Sequence, residues 1–176
     1  MRLLRSTIHP EITSLKQSIF ERIATRAIVL KGDKILLLYT QRYDDYTLPG
    51  GGVDSGENLV EGFKRELSEE TGASNIRNIK EFGLYEEFRP WYKDDFDIMK
   101  MQSYCFSCEI DEQLGDTNFE DYEIKNGMKV VWLPIKDAIA HNEITIAQSD
   151  KKGMSVEREL FLLKLIQKEL LAVCSI

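Results

Sequence analysis

Residues 51 to 73 read GGVDSGENLVEGFKRELSEETGA, and the spacing within this stretch serves more than folding. Asn58 can cap a helix, Glu61 three positions on can reach back to the cap, and Gly72 supplies a left-handed stop. A helix of about 13 residues is therefore bounded at both ends. At roughly 100° per residue, Leu59, Phe63 and Leu67 form an apolar stripe, and Glu66, Glu69 and Glu70 fall together beside it. One helix carries both core anchors and clustered carboxylates.

Like charges at helical i,i+3 and i,i+4 spacing repel by a few tenths of a kcal/mol each, and the last turn of a helix disfavours anions. A sequence shaped by folding alone would avoid the arrangement. A divalent cation reverses its sign, because hard Mg²⁺ or Mn²⁺ prefers carboxylate oxygens and is commonly shared with substrate phosphates. Ahead of the helix, Pro49-Gly50-Gly51-Gly52 lets the backbone approach a ligand closely. The competing reading is a solvated acidic helix face.

The spacing favours the functional reading. Gly51, Glu57, then Arg65-Glu66-Leu67, Glu69-Glu70, Gly72 and a small apolar residue is similar to the Nudix box at every defining position. Tyr46-Thr-Leu-Pro-Gly-Gly resembles the lead-in common in that family, and Trp132-Leu-Pro-Ile-Lys-Asp-Ala138 resembles its passage from the last core strand to a helix. The resemblance implies an α/β (α+β) fold, an α/β/α sandwich with a mixed central sheet and a strand-loop-helix catalytic motif. It also implies metal-dependent hydrolysis of a phosphoanhydride bond in a nucleoside diphosphate linked to another group, with Mg²⁺ or Mn²⁺ as cofactor. By the same resemblance Glu66, Glu69 and Glu70 are metal ligands, Glu66 can also act as general base, and Gly51 offers a carbonyl ligand. Glu57 supports the metal site and Arg65 orients the glutamates by an ion pair. One departure is Gly62, where family members often have Ala; it costs the helix about 1 kcal/mol. In the family a late loop or strand often adds a further acid, and Glu123 is preferred here over Glu120 and Asp121.

The chain of 176 residues suits one domain, residues 23–176, preceded by an N-terminal extension over 1–22. Pro10 followed by Ile12, Leu15, Ile19 and Phe20 predicts a helix over about 10–21, whose narrow apolar face could pack on the domain or on a second copy in a homodimer. A net charge of −7 provides no basic footprint for a nucleic acid polymer, while a small nucleotide remains compatible. With no membrane-length apolar run and no secretory signal pattern, a cytoplasmic location is expected and a membrane partner is not. The three cysteines include Cys105 and Cys108 on an expected strand, where positions three apart face opposite ways, so buried free thiols are expected.

Further along, residues 23–30 and 34–39 read as a hairpin. The continuous run Ile35 to Leu38 suits a strand covered on both faces. Tyr46 reads as core, and His9 and His141 as turn or loop. Residues 81–88 and 96–110 read as paired strands, 111–127 as an acidic flexible loop, 128–134 as a strand and 155–173 as a covering helix. Tyr85, Phe88, Arg89 and Trp91 gather around the 88–96 connection and are candidates to bind the substrate, as stacking surfaces and an anion partner.

The rival to a hydrolase is a catalytically silent Nudix-fold module that binds or senses a nucleotide, because fold alone does not fix function. The intact acidic set argues for the enzyme. A transferase or isomerase would need further acid, base or thiol groups that the sequence does not single out.

Overall fold

The computed structural model describes residues 1–171. In chain order the elements are β1 (Leu3–Ile8), β2 (Ile19–Lys31), β3 (Lys34–Thr40), β4 (Asp45–Thr47), α1 (Leu59–Thr71), β5 (Arg77–Pro90) and β6 (Ile98–Glu109). They continue with α2 (Asp121–Lys125), β7 (Met128–Pro134), α3 (Ile135–Gln148) and α4 (Val156–Ile166), which runs on into a π-helical segment, Gln167–Leu171.

The strands form one mixed sheet in the order β1-β5-β6-β2-β3-β4, with β7 also paired to β3. β2 and β6 run parallel from Ile19↔Ile98 to Val29↔Cys108, whereas β2 meets β3 at Leu30↔Ile35 and Lys31↔Lys34. The expected hairpin therefore splays just beyond its turn. Into the opening comes the loop ahead of α1, whose Pro49 and Gly51 carbonyls accept hydrogen bonds from the Ala27 and Thr25 amides.

Strand alternation sends side chains into two cores. Ala27, Val29 and Leu36 pack with Phe63 and Leu67 of α1, while Ile28, Ile35 and Leu37 pack with residues of α3 and α4 on the other face. The result is an α/β/α sandwich. It explains why Ile35 to Leu38 read as an unbroken apolar run: all are at most 1% exposed. Cys105 and Cys108 are free and buried in opposite cores, as expected for a strand, and burial pushes both thiols up to about 12.

Several expectations are corrected. No helix forms over residues 10–21. Residues 3–8 instead add a parallel strand to the edge of β5, and Ile19 and Phe20 lie in register with Ile98 and Met99, so sheet pairing outweighs a weak helical periodicity. β5 begins at Arg77 rather than at 81, and the 111–127 segment contains the short helix α2. His141 lies on α3, where its Nε2 is 3.0 Å from the Asp44 carbonyl oxygen. The end of the helix expected over 155–173 falls outside the described residues. Among those residues no helix is long and apolar enough to cross a membrane.

Candidate active site

The α1 helix is bounded as its sequence implies. Asn58 accepts hydrogen bonds from the Val60 and Glu61 amides, Glu61 completes a capping box, and Gly72 closes the helix in the left-handed conformation with φ 69°. On its polar face Arg65 is the organising cation. Its Nε and Nη2 donate to Glu57 at 2.7 and 3.0 Å, and Nη2 also donates to the Gly52 carbonyl at 2.9 Å. Its Nη1 reaches Glu66 at 2.8 Å and Glu69 at 3.2 Å. Arg65 thus ties the preceding loop to the glutamates. Hydrogen bonds from Arg65, followed by one from the Asp54 amide, hold the Glu57 carboxyl down at about 2. Both Glu57 oxygens are engaged this way, so its part in the site is to anchor Arg65.

Glu66 and Glu70 behave in the opposite sense. Burial raises the Glu66 carboxyl, and the charges of Glu69 and Glu123 add to the rise against the pull of Arg65. Burial also raises Glu70, with Glu123 and Glu66 reinforcing it, although the Gly50 amide donates to it at 2.5 Å. Close approach explains the glycines. A Cβ on Gly51 would stand 2.5 Å from Glu66 Oε2, and one on Gly50 would collide with the Thr25 backbone.

Glu123 is not a solvated loop acid. It is 4% exposed on α2, accepts from the Glu120 amide at 2.7 Å and from the Tyr122 hydroxyl at 3.0 Å, and shares a cavity of about 390 Å³ with Glu70. Arg22, Arg26, Asp45 and Arg158 also line that cavity. Asp45 is 1% exposed with no hydrogen bond to Oδ1, and burial, then the Glu159 charge, push it up to about 7.

The donor set suits a hard divalent cation. It is all oxygen, it carries more negative charge than its arginines balance, and burial, reinforced by the neighbouring acids, raises Glu66 and Glu70. Among the described residues no three His, Cys, Asp or Glu side chains converge closely enough to enclose an ion. Glu66 and Glu69 turn to Arg65 while Glu70 turns to the Gly50 amide. The Gly51 carbonyl already accepts from Thr25 at 2.9 Å, leaving one lone pair.

The candidate substrate residues separate. Tyr85, Phe88 and Arg89 line a second cavity of about 390 Å³ between β1, β5 and the start of α4, which shares Arg158 with the first. Within it Tyr85 is core, against Phe161, and Arg89 is paired with Glu87 at 2.6 Å. Trp91 lies outside both cavities, stacked on Phe20 at 4.8 Å and packed near Ala24, Met99 and Met101.

Sequence reasoning missed Arg26, Asp45, Arg158 and Glu159. A signal existed for some of them. Arg26 interrupts an otherwise apolar length of β2, and Glu159 stands one helical turn before Leu163, at a core-facing position.

A mixed sheet between helices, with a capped acidic helix and a glycine loop beneath it, defines a class of protein, and comparison with known proteins agrees. A family model described as the NUDIX domain matches residues 21–155. The chain belongs to the NUDIX family. Nudix hydrolase 6 of Arabidopsis thaliana is 27% identical over 144 residues, 78% of this chain and 47% of that protein. The RNA pyrophosphohydrolase of Bartonella quintana (strain Toulouse) is 44% identical over 57 residues, 32% of this chain and 30% of that protein. The chain thus spans less than half the length of these curated relatives. Among solved structures, a NUDIX hydrolase from Nitrosomonas europaea aligns with a TM-score of 0.54 at 20% identity, covering 70% of this chain and 79% of that one. A MutT protein from Bacillus halodurans aligns with a TM-score of 0.50 at 24% identity, covering 74% and 77%. These two likenesses speak to the fold.

Proposed function

We propose that this chain hydrolyses a phosphoanhydride bond in a nucleoside diphosphate linked to another group, by attack of water on phosphorus. The observation that carries the reading is the cluster of Glu66, Glu69, Glu70 and Glu123, whose charge Arg65 balances only in part. Glu66, Glu69 and Glu70 would hold Mg²⁺ or Mn²⁺, with Glu123 and the Gly51 carbonyl as further oxygens. The bound ion supplies neutralisation of phosphate charge and a lowered pKa for water. Glu66, at the polar face of α1 and against the Gly51 backbone, would accept the proton of the attacking water. Arg65 positions Glu66 and Glu69 and is itself fixed by Glu57.

The net charge of −7 favours a small substrate over a polynucleotide. The second cavity, with Tyr85, Phe88 and Arg89, is suited to the group linked to the diphosphate. A panel of nucleoside diphosphate derivatives, run with Mg²⁺ and with Mn²⁺ in H₂¹⁸O, tests the reading. One or more should be split, with ¹⁸O in a phosphate product and with activity abolished by chelator. A chain that binds such compounds with either metal and never turns them over would be a binding module.

A further inference from the structure

Arg26 is buried where a cation is costly. It sits among core residues of β2 and is 9% exposed, and both of its hydrogen bonds come from Nη1, to the carbonyls of Gly50 and Thr25. Its Nε is buried with no partner, which in a finished core is expensive. The neighbouring acids are taken. Glu159 accepts from Arg158 at 2.7 Å and from the Leu48 amide at 2.9 Å, and Glu70 accepts from the Gly50 amide. Arg158, in the same cavity wall, shows what a satisfied buried arginine looks like here: it is paired with both Glu87 and Glu159. Arg26 has no such pairing, yet it lines the cavity that contains Glu70 and Glu123. Arg22, four positions earlier on the same face of β2, is exposed and lines the cavity too, with its guanidinium beside Gly52.

We propose that Arg26 and Arg22 form a phosphate-binding pair, which takes the diphosphate oxygens of the substrate that the carboxylate-held metal does not reach. The proposal rests on the hydrolase reading above for the identity of the substrate, and on the unpartnered Arg26 for the site itself. Arg26 also holds the Gly50 carbonyl, and the amide of the same residue holds Glu70. Diphosphate capture and the placement of one metal-ligand carboxylate therefore meet at a single residue, Gly50. Arg22, at the exposed rim, meets the diphosphate as it enters.

The test is calorimetric binding of methylenediphosphonate, which carries the oxygens of a diphosphate but is not hydrolysed, to the whole chain with Mg²⁺ present. Wild type should bind. Arg26→Gln should weaken binding by about 10-fold or more, the scale of a lost hydrogen bond to a charged group. Arg26→Lys should fall between, because an ammonium keeps the charge and loses the planar fork. Arg22→Ala, an exposed change that leaves the buried shell intact, should weaken it several-fold and decides the matter with Arg26→Lys if Arg26→Gln does not fold. Folded variants that all bind within twofold of wild type would overturn the proposal, as would a wild type that does not bind. Arginine-dependent binding without turnover of any nucleoside diphosphate derivative would sink the hydrolase reading and leave this site standing. Turnover with arginine-independent binding would do the reverse.

Discussion

Two groups of carboxylates, one buried and one partly exposed, sit a short distance apart and are built on opposite principles. Around Arg158, the acids Glu87 and Glu159 meet two arginines, Arg158 and Arg89, at 2.6 to 2.7 Å, and Glu159 also accepts the Leu48 amide. Every charge there has a partner, and the network fastens α4 to β5 and to the strand end leading into the glycine loop. Around Arg65, by contrast, Glu57, Glu66 and Glu69 share one guanidinium, while Glu70 and Glu123 have only amides and a hydroxyl. The balanced group is finished by folding. The unbalanced group holds charge in reserve for a cation, and the two should answer differently to the same kind of mutation.

The largest contrast is in turnover. Glu66→Gln, Glu69→Gln and Glu70→Gln should each lower kcat by about 10²- to 10⁴-fold, the range for losing a proton acceptor or an equivalent metal ligand. Without metal they should leave stability unchanged or slightly higher, because like-charge repulsion is relieved. Assays with Mg²⁺ beside denaturant melts in chelator check both halves. A large loss of metal-free stability in all three would place them with the Arg158 group, as structural acids.

The next contrast is in stability. Arg158→Ala leaves Glu159 buried with no arginine and Glu87 with Arg89 alone, a change that typically costs about 3 to 5 kcal/mol. Urea unfolding should show that loss with or without Mg²⁺. A melt within about 1 kcal/mol of wild type would mean that water or Arg89 compensates, since well-paired buried ions can contribute little net stability.

The two groups were not equally legible in the sequence. The box glutamates could be read because helical spacing, a cap, a left-handed stop and Arg65 all lie within one short segment, so local geometry alone brings them together. The α1 boundaries and the covered strand at Ile35 to Leu38 were legible for the same reason. Glu87, Arg158 and Glu159 come from β5 and α4, and only the packing of α4 on the sheet joins them. β1 was hidden too, because its edge pairing with β5 depends on a partner some 80 positions away and leaves no strong period in residues 3–8. Glu123 fell between: its type was suggestive, but its burial came from α2, a helix too short to announce itself.

A third and smaller contrast lies in pH. Glu66 and Glu70 are raised in the fold relative to an ordinary carboxylate near 4.5, so the native protein binds those protons more tightly than the unfolded chain. Their contribution is fully present below pH 4.5 and is lost as pH rises through their raised values. Glu57, held down at about 2, acts oppositely: its contribution is present above pH 4.5 and is lost as pH falls toward 2. Melts in chelator should therefore fall between about pH 4.5 and about 8, the raised value of Glu70, and Glu70→Gln should flatten that fall. Mg²⁺ at a hundredfold excess over its Kd should add back about 2.7 kcal/mol at neutral pH. No response to metal, alone or with a nucleoside diphosphate, would count heavily against the cation.

The smallest effect separates the anchoring of Arg65 from the stability of its helix. Gly62 lies inside α1, where alanine is favoured by about 0.8 to 1 kcal/mol. A Cβ there would meet Glu57 Oε2 at 3.0 Å and Val53 Cγ2 at 3.2 Å, closer than relaxed packing allows. Glu57 cannot retreat freely, because both of its oxygens hold Arg65. Gly62→Ala should therefore leave stability within about 1 kcal/mol of wild type, with propensity and crowding offsetting each other. The displacement should appear instead as a few-fold fall in kcat, passed from Glu57 through Arg65 to Glu66 and Glu69, with KM nearly unchanged because substrate does not touch Gly62. A variant that gains the full helix increment and keeps wild-type kcat would show that Arg65 holds the glutamates without help from Glu57, leaving Glu57 as a loop anchor alone.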